Sequence, residues 1–451
     1  MASTDSTESR NNALLGVILL IRHGDREGFY QSPVTYTPSN TAITPLGNKL
    51  RGIYINPSSP TRIPGINSDV VNDAQLLIRA DAGGEGGVIF NSAVSLLQGL
   101  FPGTRDYNTT LANGTNIVGP LGGYQYIPIE SVEPDNDVSL EGWTSCGPFA
   151  DATAAFYNST QFKQKAIQAA PFLRALPPFL DGRPVTLENM IFDFMNVQSI
   201  HNATFLHNLP PTFLAQARAL ADFHEYGVFS SPSLSGIGNI AGQTILPSIL
   251  NGIHRITNAS DPLKFVYEAI SYKPFISLFN MTGAAQANPE LAGIVNYAAA
   301  LALEVRQSNS GPVLRLKFKN GTIDNDFKTF NFLGRSGDVP ISVFINRLAP
   351  VAINSTSAWC KVCNNNKDRG CDEITAVYNY AGPGPWTQRQ AIGPVGAGFL
   401  GAGTTLVAVV ATALLLSFLG LLSFGKRSVK PSQNMRERES DEDSVNSIRK
   451  L

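Results

Sequence analysis

An α/β fold followed by one membrane-spanning helix near the C-terminus is predicted from three stretches of the sequence. The first is "LLGVILLI", Leu14 to Ile21, which is short, almost wholly aliphatic and followed closely by glycine. Such a run reads as a strand buried on both faces. In the second, "PVLRLKFKNG", Leu314, Leu316 and Phe318 alternate with Arg315, Lys317 and Lys319, as in a half-exposed edge strand. The third runs from Val395 to Phe424 inside an uncharged segment, Ala391 to Gly425, and exceeds the roughly 20 apolar residues that cross a bilayer as a helix.

In chain order, a polar N-terminal tail (1–12) precedes the first strand. That strand delivers His23 at its C-terminal end, where ligands collect in open α/β sheets. Arg22 and Arg26 stand on either side of it, and guanidinium groups hold phosphate oxygens through paired, charge-assisted hydrogen bonds. A second apolar strand, "AQLLI", closes on Arg79 as the first closes on Arg22. With 451 residues, 43% hydrophobic and 15% charged, the chain can bury a large core. Its 34 basic residues against 35 acidic ones supply no field for nucleic acid, which is not an expected partner.

Beyond the main domain, assigned to 13–372, residues 373–393 read as a stem that carries "AGPGPW", a run unable to form helix. The membrane helix is placed at 394–425 and a polar tail at 426–451. Lys426, Arg427, Lys430, Arg436 and Arg438 follow the span, whereas only Arg389 lies close before it. The positive-inside rule therefore puts the tail in the cytosol and the domain in the lumen or outside the cell. Within "ESDEDS", Ser440 has the acidic setting of a phosphorylation site.

Sequons at Asn108, Asn113, Asn158, Asn202, Asn258, Asn280, Asn320 and Asn354 all precede the span, as lumenal glycosylation requires. Four cysteines, Cys146, Cys360, Cys363 and Cys371, have no histidine near the last three, so two disulfides are expected rather than a zinc site. Cys146 is expected to tie the middle of the chain to that cluster. No cleaved signal peptide is visible. Either the first apolar run doubles as an export signal, or the true start lies upstream, or the protein is tail-anchored with a cytosolic domain; the lumenal topology is favoured.

The segment "LLIRHGDREG" resembles the opening motif of the histidine acid phosphatases, within the phosphoglycerate-mutase-like superfamily. "AITPLGNKL" is similar to that family's Leu-Thr-x-x-Gly segment, and "LLIRADAGGEGGVIFNSAVSLLQGLFPGT" to its second arginine strand and following helix. "YIPIESV" resembles the stretch that leads to a family cysteine, here Cys146. "NIAGQTILPSILNGI", "NYAAALALEV" and "PVLRLKFKNG" resemble the late helix and closing hairpin. The resemblance implies an α/β sandwich with a mostly helical cap, roughly 104–235, acting on or binding phosphomonoesters through a phosphohistidine, with no cofactor or metal. His23 would be the nucleophile, and Arg22, Arg26 and Arg79 the phosphate-binding arginines.

Two departures stand out. Gly28 occupies the position of a family proline, which loosens the loop. The family's late His-Asp pair is replaced in "FVYEAISYKPF" by Ile270 and Ser271, removing a phosphate donor and the acid that protonates the leaving group. Glu268 shares a strand face with Ile270 and is the candidate substitute acid. His201, His207, His224 and His254 read as surface or packing residues. The sequence therefore implies either a phosphatase with impaired or atypical catalysis, or a pseudophosphatase that serves as a phosphate-ligand-binding or interaction domain.

Overall fold

The computed structural model describes residues 13–27, 42–83, 87–189 and 191–380. The chain divides after Tyr380, and the second unit, Ala381–Leu451, lies outside the described residues together with the N-terminal tail, the proline- and glycine-rich run, the apolar span and the basic tail. Among the described residues no helix is long and apolar enough to cross a membrane.

The strands are β1 (Leu14–Arg22), β2 (Leu76–Asp81), β3 (Asn108–Thr110), β4 (Asn116–Val118), β5 (Glu130–Val132), β6 (Phe265–Ile270), β7 (Ala300–Ser308), β8 (Gly311–Lys319), β9 (Lys328–Thr329) and β10 (Val339–Pro340). Eight of them form one sheet in the order β10-β8-β7-β1-β6-β2-β5, with β9 also on β8, while β3 and β4 make a separate hairpin. β1, β6, β2 and β5 run parallel and present their C-terminal ends together; β7 lies antiparallel to β1, and β8 antiparallel to β7. This arrangement places the residue after β1 where crossover connections leave room for a ligand.

β1 is buried on both faces, as its aliphatic run predicts. Ile18 and Leu20 enter one apolar core, and Val17, Leu19 and Ile21 the other. The first core is covered by α8 (Ile240–Thr257), the second by α1 (Thr44–Leu50) and α2 (Val88–Leu100). α1 and α2 approach closely because both carry glycine at the contact: a Cβ on Gly47 would stand 2.0 Å from the carbonyl oxygen of Leu96, and one on Gly99 2.2 Å from that of Thr44. The glycine in "AITPLGNKL" is thus a packing requirement.

β8 corrects one expectation. Its alternation holds, with Leu314, Leu316 and Phe318 buried, yet it is no edge, because β7 pairs on one side and β9 and β10 on the other. Its polar face is covered in part by ion pairs, Arg315 to Asp338 at 2.7 Å and Lys317 to Glu304 at 3.3 Å. The partner strands have two residues each, too few to show any period in sequence.

The helices α3 (Gly147–Asn158), α4 (Thr160–Ala175), α5 (Ile191–His201), α6 (Ala203–Asn208) and α7 (Phe213–Val228) supply the helical layer expected over 104–235. Leu176, Phe192, Met195, Ala217 and Ala221 give it a core of its own. The layer is not one continuous insertion, because β5 returns to the main sheet within that range. Further on lie α9 (Lys273–Met281), α10 (Ile341–Leu348), α11 (Thr356–Val362) and α12 (Cys371–Tyr380). α12 carries helix into residues 373–380, the part assigned to the stem.

Two disulfides close this end: Cys146–Cys363 across 217 residues and Cys360–Cys371 across 11. All four cysteines are buried around Trp359, whose indole N–H donates to the Gly142 carbonyl at 2.7 Å. Chain entropy makes the bridge over the longer loop worth about 2.6 kcal/mol more than the other. Calorimetry of Cys146→Ser with Cys363→Ser, beside Cys360→Ser with Cys371→Ser, should therefore show the larger loss of melting temperature in the first pair.

Candidate functional site

The loop after β1 is held by its backbone before any side chain acts. The His23 N–H donates to the Ile270 carbonyl at 3.2 Å, the His23 carbonyl accepts from Ala298 at 3.0 Å, and Arg22 N–H donates to Ala299 at 2.9 Å. Gly24 N–H donates to the Ser92 hydroxyl at 2.8 Å, and that hydroxyl donates to Val88 one helical turn back on α2. The two strands flanking β1 and a helix N-terminus thus fix the position of His23.

His23 is buried, and its Nδ1 lies 2.7 Å from the Gly24 carbonyl. A carbonyl only accepts, so Nδ1 carries the hydrogen, and Nε2 is the nitrogen left to act as a nucleophile in a neutral ring. Arg22 donates to the Val295 carbonyl, and its guanidinium lies 4.4 Å from the ring centroid of Tyr297 and 5.1 Å from that of Tyr272. Arg26 donates to the Tyr297 hydroxyl at 2.6 Å and to Asp193 of α5 at 2.9 Å. The ring of Tyr297 also stands 5.5 Å from that of His23. Burial pushes its phenol up to about 12, so it stays protonated beside the two arginines. The loop therefore gathers a tautomer-fixed imidazole and two oriented guanidinium groups, chemistry suited to a tetrahedral oxyanion.

Asp25 completes the contacts with α5. Its carboxylate accepts from Arg26 N–H at 2.8 Å and lies 2.8 Å from Nε2 of His201. Burial raises the pKa of this carboxyl above the ordinary aspartate value, while the Arg26 amide and His201 pull it back. His201, read from sequence as a surface or packing residue, is exposed and also pairs with the loop that carries His23. Asp193, Tyr272 and Tyr297 were not singled out either, because each reaches the loop from a distant segment; Tyr297 is 271 residues from Arg26. No local sequence signal joins them.

Arg79 stands elsewhere. Its register partner on β6 is Glu268, whereas Arg22 pairs with Ile270, two residues further along. With β6 between them, strand spacings separate the two Cα atoms by about 12 Å. Nε of Arg79 donates to Glu130 at 2.9 Å, Nη1 to the Ser248 hydroxyl at 2.5 Å and Nη2 to Asp137 at 2.6 Å. These partners lie towards β5 and α8, so the structure does not bring Arg79 to the histidine loop as the sequence predicts. They line a separate cleft of about 480 Å³ along α8.

Glu268 belongs to the same cluster. It shares the face of Ile270, as expected, but its Oε2 lies 3.7 Å from Nη1 of Arg79 and it is fully buried. Neither carboxyl oxygen has a hydrogen bond of ordinary geometry among the described residues. Burial pushes the carboxyl up to about 7, against the pull of Arg79 and the Ser248 hydroxyl. Ile270 is packed in the core beneath α8, and Ser271 is buried with no hydrogen-bond partner for its hydroxyl among the described residues. Both adjoin His23, since its N–H caps the Ile270 carbonyl.

No family profile and no curated protein matches this chain. Among solved structures it is similar to Hafnia alvei phytase in complex with tartrate, at 12% identity and a TM-score of 0.49, over 77% of this chain and 98% of that one. It is also similar to the phytase from Citrobacter braakii, at 11% and 0.49 over 76% and 98%. A third is Klebsiella sp ASR1 phytase, at 14% and 0.48 over 76% and 96%. Likeness at this level carries no argument about chemistry, which rests on the geometry of the loop.

Proposed function

We propose that this chain is a membrane-anchored protein of the histidine acid phosphatase type that binds phosphomonoesters and turns them over slowly. The observation that carries the reading is the His23 loop: an imidazole whose Nδ1–H is committed to Gly24, set between Arg22 and Arg26 at the C-terminal end of β1. Nε2 of His23 would attack phosphorus in line, forming an N–P bond as the ester P–O bond breaks. Water would then cleave the phosphohistidine and release inorganic phosphate. With Ile270 and Ser271 in place of the His-Asp pair, the departing alkoxide lacks that acid, and the reading is of impaired turnover. Asp25, its carboxyl raised by burial, is the nearest carboxyl to His23 in the chain and the candidate to hold a proton there. If no turnover occurs, the same loop still serves a phosphate-binding domain.

Vanadate or inorganic phosphate should raise the melting temperature of the full chain, since a ligand of the folded state alone stabilises it by about 2.7 kcal/mol at a hundredfold excess over Kd. Arg22→Ala and Arg26→Ala should shrink the shift while Arg79→Ala leaves it, and His23→Ala should abolish any phosphatase turnover. A folded wild type with no shift at millimolar vanadate would sink the proposal.

The lumenal topology is part of the same proposal. Paired, buried cysteines favour an oxidising compartment. Six sequon asparagines, Asn108, Asn113, Asn158, Asn202, Asn258 and Asn354, are exposed. Asn280 instead donates to the Ser231 carbonyl at 2.8 Å and to Asn239 at 2.9 Å, and Asn320 accepts from the Asn296 amide at 2.8 Å. Glycan mapping of membrane-extracted protein should find sugar within the exposed group and bare Asn280. Protein without any glycan would argue for a cytosolic domain.

A further inference from the structure

Arg22 is held by the Val295 carbonyl and by two aromatic rings, and one of those rings is tied deep into the helical layer. Tyr272 follows directly on Ser271, and its ring lies 5.1 Å from the Arg22 guanidinium. Its hydroxyl donates to Oε2 of Glu225 on α7 at 2.9 Å. The other oxygen of Glu225 lies 2.8 Å from Nδ1 of His224, and Nε2 of that imidazole meets the Tyr157 hydroxyl of α3 at 2.8 Å. Four side chains therefore form an unbroken chain from the helical layer to the ring beside Arg22. Glu225 and His224 are 4% and 6% exposed, a costly place for both unless every polar atom is bonded. Burial and Glu225 push the Tyr272 phenol well above its usual range, so it remains a donor.

We propose that Tyr272 is a positioning residue for the phosphate-binding Arg22, held in place by Glu225, His224 and Tyr157, so that the helical layer sets the affinity of the loop for a tetrahedral oxyanion. The inference rests on the phosphate-binding reading of the His23 loop. A ring fixed beside the guanidinium orders it before the anion arrives, and less rotational freedom is lost on binding. The Tyr272 hydroxyl faces Glu225, so its part is to hold the arginine rather than to exchange protons with substrate.

Vanadate titration of the full chain by calorimetry tests this. Tyr272→Leu should weaken binding about 10-fold, the scale of a partly desolvated cation–π contact. Tyr272→Phe, which keeps the ring, should recover part of the loss. Glu225→Ala should weaken binding about 5-fold, as for one hydrogen bond, although Glu225 acts only through Tyr272; Glu225→Gln serves where alanine prevents folding. Members of one chain do not act additively, so Tyr272→Leu with Glu225→Ala should be no weaker than Tyr272→Leu alone. A wild type that ignores vanadate overturns the reading of the loop and this inference with it. A wild type that binds, with folded variants that bind equally well or with additive losses, overturns this inference alone.

Discussion

Arg79→Met is expected to destabilise the domain by up to about 1.4 kcal/mol more at pH 8 than at pH 5, while vanadate binding persists. The reason is Glu268, fully buried at 3.7 Å from the guanidinium. Its carboxyl titrates near pH 7 in the folded chain, against an ordinary value of 4.5. A carboxyl raised on folding favours the native state fully below its unfolded value, and that contribution disappears as pH rises through the folded one. Between about pH 4.5 and 7 the wild type should therefore lose about 3 kcal/mol through this group, at 1.36 kcal/mol per unit. Without Arg79 the folded value climbs further, and the loss continues above pH 7. At pH 5 the folded-state carboxyl of Glu268 is protonated with or without Arg79, so the substitution removes only the contacts of Arg79 with Ser248 and the half-exposed Glu130 and Asp137, and such contacts are worth little.

Urea unfolding at both pH values decides the matter, with one further variant as control. Glu268→Leu together with Arg79→Met should recover most of the alkaline loss, because removing both members of a buried pair is often nearly neutral. If Arg79→Met instead abolished vanadate binding with a pH-independent effect on stability, Arg79 would be a ligand residue after all.

The contrast between Arg22 and Arg79 shows what the sequence could and could not reveal. Both end aliphatic runs, and the runs themselves are legible because strands buried on both faces need no alternation. The height of each arginine within the sheet is set by register with β6, which depends on pairing between distant segments and leaves no local mark. β5 escapes notice for a related reason: three residues are too few to show a period. His23 was legible because one short motif holds its neighbours. Asp193 and Tyr297, which orient Arg26 from 167 and 271 residues away, were not. His201 and His224 look ordinary in sequence, since a histidine's role follows from the group that meets its second nitrogen, and here those groups lie in the loop after β1 and in α3.

Ser271→Asp should raise turnover of an alkyl phosphate on the order of 10²-fold and leave an aryl phosphate nearly unchanged, if the missing acid limits the reaction. The structure favours this single change over restoring the pair. Ile270 is packed in the apolar core beneath α8, so histidine there would bury a polar ring among aliphatic side chains. Ser271 is also buried, but its hydroxyl has no hydrogen-bond partner among the described residues, and it sits one residue from the carbonyl that accepts the His23 N–H. A carboxyl introduced in that setting should have its proton held more tightly by desolvation, as a general acid at mild pH requires. The added atoms should cost about 1–3 kcal/mol in stability, so the melting temperature is measured first. An alkoxide must be protonated as it leaves, whereas a nitrophenolate departs unaided, and only the alkyl substrate therefore gains from a new donor. Steady-state rates for both substrates, in the wild type, Ser271→Asp and Ser271→Asp with His23→Ala, separate the outcomes. A gain that vanishes with His23→Ala would identify the nucleophile and the missing step together. A folded variant that binds vanadate yet gains nothing would leave two explanations, and Asp25→Asn distinguishes them. Collapse of the wild-type rate on that change would mean that Asp25, beside His201, already supplies the proton; a wild type that binds vanadate but shows no turnover to lose would mean that the domain has kept phosphate binding and given up the reaction.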